Sequence, residues 1–340
     1  MQGENFSSSP LSRTIPRRRL SKRSSRGSAM GNSVLISSLS PEDTISGKFA
    51  LRSCELREYS RGQYIQMDIA DRSGHITASY WLEDAREVYN SIKDSEIVQL
   101  SGRIGTYRGK PTVTVEYISP VKQGEYDPED IVPSTKFSRE KLWQRVIEMS
   151  SSVENTYLRT LLLNIFSEEN KQDILTAPAG KRWHHAFIGG LVEHSLAVAS
   201  ICDYIAKLHS LDRDLLVAGA LLHDIGKLEE LKVTSFIDYS TRGRLLGHII
   251  LGINLVSREI EKIEDFPDET KFKLLHLIAS HQGTQEQGSA VPPMTKEAFV
   301  LHFVDEIDSK LNALSHIEGK NRGKDWSKYI KLLNRFIYLK

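Results

Sequence analysis

The chain has 340 residues, of which 39% are hydrophobic and 26% charged, with a net charge of +1. This length predicts two domains with cores of their own, and the lack of any apolar run near the roughly 20 residues of a membrane helix excludes a spanning segment. The two cysteines, Cys54 and Cys202, lie far apart in apolar-patterned stretches, which excludes a disulfide framework or a thiolate zinc site and favours a cytoplasmic protein.

The first thirty residues form a basic, Ser/Arg-rich segment. They hold seven Arg and Lys residues against one acidic residue, whereas the remainder has 38 basic and 43 acidic residues. Because residues 1–30 lack both periodicity and a hydrophobic segment, they predict a disordered tail. Three interpretations stay open: an inert extension or over-long gene start with Met30 as the initiator, a tail that attracts nucleic acid, and an organellar presequence.

Residues 31–121 carry the two-residue periodicity of β-strands. Apolar and polar residues alternate over 48–51, 64–69 and 75–81, with turns at Arg61-Gly62 and Ser73-Gly74. A short helix over 84–92 and two strands over 97–102 and 112–118 follow. Three strands, a helix and two strands predict a five-stranded OB-fold β-barrel, with another small meander or an SH3-like barrel as the alternative.

Barrels of this type that bind single strands combine aromatic platforms with a positively charged groove. We expect nucleic-acid contacts from Tyr59, Arg61, Tyr64, Trp81, Arg103, Tyr107, Arg108 and Lys110. Any one of these aromatic residues is more often part of the barrel core than a platform for a base, so the prediction depends on the whole set. Residues 62–81, in which a turn at 71–74 leads into a strand ending at Trp81, resemble the anticodon-binding type of OB-fold.

Residues 122–138, with Gly124, Pro128 and Pro133, break both periodicities and predict a linker. From residue 139 to residue 340 the pattern is helical throughout. The expected helices are 137–150, 154–167, 189–208, 213–223, 247–263, 269–280, 296–314 and 326–338. The fold class predicted is therefore a multi-domain α+β protein: an N-terminal OB-fold barrel followed by an all-α domain.

Four of these helices each place a His or Asp in an apolar stripe. His194 lies between Leu191 and Val198, His223 ends a similar stripe, and His281 and Asp305 occupy equivalent positions. A carboxylate on such a face is costly unless it is paired or bound to a metal. His and Asp ligands suit Mn, Fe, Co, Mg or Zn, whereas a hydrogen-bonded core histidine is the commoner explanation for any single residue. The set together favours a metal site.

The residues around His223 strengthen this interpretation. His223 is followed at once by Asp224, so that adjacent side chains at a helix end can offer one ligand to each of two ions. Gly226 is expected to close the helix. The order His194, His223-Asp224, Asp305 resembles the HD superfamily of phosphohydrolases. That resemblance implies an all-α HD-type domain over 139–340, with these four residues as metal ligands and His248 and His281 as ligands of a second ion.

A closer resemblance lies in the segments around these residues. Pro178-Ala179-Gly180 with His184-His185-Ala186-Phe187, Leu222 to Lys227, Gly243 to His248, and Ser280-His281-Gln282-Gly283 resemble the YhaM-type 3′-to-5′ exoribonucleases, which share the order of domains. The resemblance covers residues 34–338, and Gly180 and Glu193 depart from the residues expected there. It implies a metal-dependent 3′-5′ exoribonuclease that degrades single-stranded RNA, with single-stranded DNA as a second substrate, to nucleoside 5′-monophosphates.

The implied cofactor is a pair of divalent ions per chain, manganese first. Asp224, Lys227 and His185 are the predicted catalytic residues: Asp224 touches both ions, Lys227 neutralises a substrate phosphate, and His185, like His184, orients substrate or a ligand. Arg244 is either a phosphate contact or part of a solvated turn. Two alternatives remain: an HD-type nucleotidase or cyclic-nucleotide phosphodiesterase, and a single-strand-binding protein with a scaffold HD domain. A homo-oligomer is also left open.

Overall fold

The computed structural model describes residues 35–340, apart from residues 182 and 322 and the side chain of residue 320. The tail predicted for residues 1–30 lies outside this range. In the described part of the chain, no helix combines the length and the apolar character that crossing a membrane requires.

The N-terminal domain is a closed five-stranded barrel, as predicted. Its strands are β1 (Thr44–Tyr59), β2 (Gly62–Asp71), β3 (Gly74–Tyr80), β4 (Ile97–Tyr107) and β5 (Lys110–Val121), with α1 (Ala85–Ile92) between β3 and β4. They close in the order β1-β2-β3-β5-β4, and only the β3–β5 pairing is parallel. Alternate residues such as Ile65, Met67 and Ile69 fill the interior, because successive side chains of a strand point to opposite faces.

The helical domain begins after a linker that contains a single turn of helix, α2 (Pro128–Ile131). The following helices are α3 (Arg139–Ser151), α4 (Thr156–Ile165), α5 (Lys171–Thr176), α6 (Gly190–His209), α7 (Arg213–Leu222), α8 (Lys227–Glu230), α9 (Thr241–Ile260), α10 (Asp268–Ser280) and α11 (Lys296–Lys320). The side chains of Ser138, Asn155, Asp212 and Thr295 cap helix N-termini. From Leu215 to Leu222, α7 is buried on all sides, so the core of the domain surrounds it.

Two expectations for this domain are wrong. Residues 326–338 form no helix; Trp326 instead bridges to Tyr338, and Ile330 to Arg335. Most of the large apolar side chains of this segment stay exposed, among them Trp326, Leu332 and Phe336, so a helix here would lack a buried face. A hairpin of β6 (Leu231–Val233) and β7 (Ile237–Tyr239) also interrupts the region expected to be helical throughout.

The linker and this hairpin hold the barrel against the helical domain. The Ser235 hydroxyl, in the β6–β7 turn, donates to the Glu96 carboxylate at 2.9 Å. On the barrel's β2–β3 turn, Arg72 donates to the carbonyl of Glu129 at 3.4 Å. A small apolar cluster of Val132, Ile188, Leu231 and Ile237 joins the linker to the hairpin. The β6–β7 hairpin therefore lies on the side of the helical domain that faces the barrel.

Candidate metal centre

All six residues predicted as metal ligands converge at one end of α7. His194 comes from α6, His223 and Asp224 from the turn after α7, His248 from α9, His281 from the end of α10 and Asp305 from α11. His194, His223 and His281 are fully buried, and Asp224 is 1% exposed. Residues far apart in the chain thus meet in a site almost closed to solvent.

One group of ligands surrounds the Oδ2 atom of Asp224. The Nε2 atom of His194 lies 3.1 Å from Nε2 of His223, 3.5 Å from Asp224 Oδ2 and 3.2 Å from Asp305 Oδ1. The Nε2 atom of His223 lies 3.4 Å from the same Asp224 oxygen. Two imidazole nitrogens and two carboxylate oxygens therefore share one small buried space, a donor set that suits a divalent ion.

A second group surrounds the other carboxylate oxygen, Oδ1 of Asp224. The Nε2 atoms of His248 and His281 lie 3.5 and 3.6 Å from it. Both Asp224 Oδ1 and His248 Nε2 are buried and have no hydrogen-bond partner among the described residues. Buried polar atoms are nearly always paired, so two orphaned acceptor atoms facing each other fit a place for a cation. Asp224 thus presents one oxygen to each group.

A hydrogen bond to Nδ1, the ring nitrogen that faces away from the site, orients each imidazole. The Nδ1–H groups of His223 and His281 lie within donating distance of the carbonyls of Ala220 and Ile278, at 2.8 and 2.7 Å. Because Nδ1 then carries the proton, the lone pair of Nε2 faces the site. His194 Nδ1 contacts the Asp308 carboxylate at 2.7 Å, in the arrangement by which carboxylates orient metal-bound imidazoles.

The electrostatics of the cluster are strongly perturbed. Burial alone would lower the pKa of His194, but its hydrogen bonds to Asp305 and Asp308 and their negative charges raise the pKa to about 9. Burial would raise the pKa of Asp224, yet Lys227 and His223 hold it well below its usual range. Without a metal, the cluster therefore keeps ionised carboxylates next to a protonated imidazole.

Two glycines allow the elements to meet here. A Cβ on Gly226 would lie 2.0 Å from the carbonyl oxygen of His248, so α8 can approach α9 only with glycine at that position. Gly226 does not close α7 as expected: α7 ends at Leu222, and Gly226, with a φ of −63°, directly precedes α8. Gly247, with φ of 70° and ψ of 160°, breaks α9 just before His248, and only glycine adopts this conformation readily.

Two cavities flank the buried cluster. The Tyr239 cavity, of about 400 Å³, is lined by Trp183, His184, Lys227, Tyr239 and His248, among others. The His302 cavity, of about 270 Å³, shares Trp183, His184 and Lys227 and adds Asp224, His281, His302 and Asp305. The cluster is thus reached from two sides of the loop that carries Trp183 and His184.

The predicted catalytic residues take different places around the cluster. Lys227 is buried, and its Nζ donates to Asp224 Oδ2 at 2.5 Å. Burial lowers the pKa of His184 to about 3, so this imidazole is neutral at physiological pH. His185 lies behind the ligands and lines neither cavity: its Nε2 contacts Asp308 at 2.9 Å, and its backbone N–H donates to Asn312.

Comparisons with known protein families give one match in each domain of the chain. Residues 191–310 match the family model described as HD domain, and residues 44–121 match the model described as OB-fold nucleic acid binding domain. The chain carries an OB-fold domain followed by an HD domain. An HD domain indicates a metal-dependent phosphohydrolase, and its combination with this OB-fold domain indicates a hydrolase that acts on nucleic acid.

Solved structures match parts of the chain at low identity. The second OB-fold domain of replication protein A from Methanococcus maripaludis is 18% identical; the match covers 27% of this chain and 96% of that domain, with a TM-score of 0.23. The asparaginyl-tRNA synthetase of Entamoeba histolytica is 15% identical, and its match covers 37% of this chain and 34% of the synthetase, with a TM-score of 0.23.

The residues predicted to contact nucleic acid fall into two groups on the OB-fold domain. Tyr64 and Trp81 stack at 4.0 Å, and Tyr59 packs edge-on against both rings. This aromatic cluster, with Arg61, lies at the end of β3 next to the β1–β2 turn. The second group contains Tyr107, Arg108 and Lys110 in the β4–β5 turn, near the start of β3, and Arg103 on β4, which pairs with Glu116 at 2.9 Å.

Sequence reasoning missed other residues of the HD domain site. Glu230 accepts from the backbone N–H of His248 and contacts its Nδ1 at 3.2 Å, which fixes that imidazole. Gln282 contacts Nε2 of His281 at 3.0 Å. Trp183 lines both cavities. Two of them gave a signal in the sequence: Gln282 lies in the segment Ser280-His281-Gln282-Gly283 that carries the resemblance, and Trp183 is an aromatic residue directly before His184 and His185.

Proposed function

We propose that the protein is a metal-dependent 3′-5′ exoribonuclease that shortens single-stranded RNA, with single-stranded DNA as a second substrate. One observation carries the proposal: Asp224 offers one carboxylate oxygen to each of two buried groups of ligands, directly beside a cleft, in a chain whose other domain is an OB-fold. The first group is Asp224, His194, His223 and Asp305, and the second is Asp224, His248 and His281.

These residues would hold two divalent ions, and manganese is our first choice. When bound, such a pair activates water and stabilises the attacking and leaving oxygens of an in-line displacement at phosphorus. The protein's own residues prepare that site. Asp308 and Glu230 orient His194 and His248, and burial excludes bulk water from the ligands.

Lys227 acts on the substrate side. It lines both cavities, and its ammonium group offers a charge-assisted hydrogen bond to a phosphate oxygen. Water attacks phosphorus, the bond to the 3′ oxygen of the penultimate nucleotide breaks, and that oxygen takes up a proton. The products are a nucleoside 5′-monophosphate and a strand one nucleotide shorter that ends in a 3′ hydroxyl. His185, which contacts Asp308 rather than the cleft, is a positioning residue.

The OB-fold domain would bind the strand upstream of the reacting end. Tyr59, Tyr64 and Trp81 offer partly exposed aromatic surface, with Arg57 on the same face as Tyr64 because the two residues pair directly across β1 and β2. The other end of the β2–β3 hairpin contacts the linker. A strand that lies along this hairpin would run from the aromatic cluster toward the HD domain.

The test is to incubate the protein with a 5′-labelled single-stranded RNA and Mn²⁺. We expect a ladder of products shortened one nucleotide at a time, with nucleoside 5′-monophosphates released, and no degradation by a folded Asp224→Ala variant. Hydrolysis of a cyclic dinucleotide with intact RNA would support the small-molecule phosphodiesterase instead. RNA binding without hydrolysis under any divalent ion would support the scaffold alternative.

A further inference from the structure

Trp183 lies at the boundary of the two cavities, together with His184 and Lys227, which also line both. Its side chain is half-buried and lines both the Tyr239 cavity and the His302 cavity. Among the residues that the structure describes, none makes a ring contact or a side-chain hydrogen bond with the Trp183 indole. A half-exposed indole at the entrance of a cleft that accepts nucleic acid offers a flat apolar face to a base.

The Tyr239 cavity also carries positive charge. Lys181 lines the cavity, and Arg244 lies at its edge. Both lie over the Tyr239 ring, at 5.4 and 5.5 Å from its centroid. Both also pair with the Asp238 carboxylate, at 2.5 and 3.0 Å. The hydrogen bond from Lys181 is the main reason that the pKa of Asp238 is lowered to about 2, so this carboxylate is ionised at neutral pH. These two cations share one anion, so this group of three carries one net positive charge; Glu230, the carboxylate that lines the same cavity, faces the His248 imidazole instead.

The hairpin contact places this cavity on the barrel side of the cleft. Tyr239 ends β7, and the β6–β7 turn contacts Glu96 of the OB-fold domain. The His302 cavity lies on the other side of Trp183, where Asp305 of the first ligand group lines it. We therefore expect a strand that arrives from the barrel to enter the Tyr239 cavity first and to end in the His302 cavity.

We propose that Trp183 stacks on the base of the penultimate nucleotide in the Tyr239 cavity, and that Lys181 and Arg244 bind the phosphate on the 5′ side of that nucleotide. The inference rests on the proposed function and adds the subsites that position the strand. The terminal nucleotide then occupies the His302 cavity. The scissile phosphate lies between the two subsites, where Lys227 lines both cavities.

The test combines a change in the protein with a change in the substrate. The substrates are a trinucleotide RNA and the same RNA with an abasic ribose at the penultimate position. A stacked base contributes roughly 1–3 kcal/mol, so the wild type should lose at least about fivefold in kcat/KM on the abasic substrate. Trp183→Ala should have the same kcat/KM on both substrates. Trp183→Phe should keep most of the wild-type preference for the base-containing RNA.

Trp326→Ala is the matched control. Trp326 is another exposed tryptophan, it contacts Tyr338 at a centroid distance of 5.1 Å, and it lines neither cavity. This variant should discriminate as the wild type does. The affinity of both substrates for metal-free protein in EDTA gives a second readout, in which Trp183→Ala should lose the preference for the base-containing RNA.

The phosphate contact is tested with neighbouring arginines. A methylphosphonate on the 5′ side of the penultimate nucleotide removes one negative charge from the substrate. Arg244→Ala should be insensitive to this change. Arg242→Ala should respond as the wild type does, because Arg242 pairs with Glu229 at 2.6 Å, whereas Arg244 contacts Asp238 and the Tyr239 ring beside the cavity.

Two results would overturn the inference. If Trp183→Ala weakens both substrates by the same factor, the tryptophan only supports the loop. If the loss of kcat/KM caused by Trp183→Ala depends on the terminal base and not on the penultimate base, the assignment of the subsites is wrong. Failure of the wild type to shorten RNA contradicts the proposed function alone, because the binding measurement in EDTA still tests the stacking.

Discussion

The pair of Lys227 and Asp224 should stabilise the metal-free protein far more than an exposed pair of the same spacing. The Lys227 side chain is 8% exposed and that of Asp224 is 2% exposed. Breaking such a buried pair costs about 3–5 kcal/mol, because an uncompensated charge stays behind. Lys227→Met should therefore lower the Tm of the helical domain by at least about 6 °C.

Lys262→Met is the matched control. Lys262 pairs with Glu259 at 2.7 Å with the same three-residue spacing, but its side chain is 64% exposed. Such surface pairs contribute about 0–1 kcal/mol. Thermal unfolding in EDTA at pH 7.5, followed by far-UV circular dichroism, compares the two variants with the wild type.

The pH dependence of this effect has a definite sign. The pKa of Asp224 is lowered in the folded protein, and Lys227 is a main cause. Its contribution to stability is present above the unfolded pKa of about 4 and is lost as the pH falls further. The difference between wild type and Lys227→Met should thus narrow in acid. If Lys227→Met costs no more than Lys262→Met at pH 7.5, the reasoning about the buried pair is refuted.

Further predictions concern the metal and the barrel. His248→Ala should reduce bound Mn²⁺ from about two ions per chain toward one, by elemental analysis, and a single ion in the wild type would contradict a paired site. Asp308→Asn should weaken metal binding about 10–100-fold in a chelator competition, since Asp308 orients His194. Because the pKa of His194 is raised to about 9, metal binding at pH 7.5 should release a proton, and its affinity should rise with pH up to about 9. Calorimetry in two buffers of different ionisation enthalpy checks this; equal heats would contradict it. Trp81→Ala should raise the KM for long RNA at least about fivefold while sparing a trinucleotide, and equal effects on both would remove the barrel from strand binding.

The sequence by itself determined the order of the barrel elements and the six metal ligands that meet at the candidate site. Period-two alternation identified the five barrel strands, because one face of each strand fills a closed core. His194, His223, Asp224, His281 and Asp305 stood out because polar side chains on apolar helix faces need partners. Their convergence follows from burying those faces together.

Only the tertiary structure decided how these residues are arranged. The sequence predicted that Asp224 serves two ions, but the placing of its two oxygens depends on the approach of α9 to Gly226 and on the break at Gly247, which periodicity does not reveal. Residues 326–338 have a helical pattern, but a helix there would lack a buried face, so local pattern misled there. Glu230 and Trp183 lie at the site because segments distant in the chain pack together there. Such contacts depend on packing, which a one-dimensional pattern does not contain.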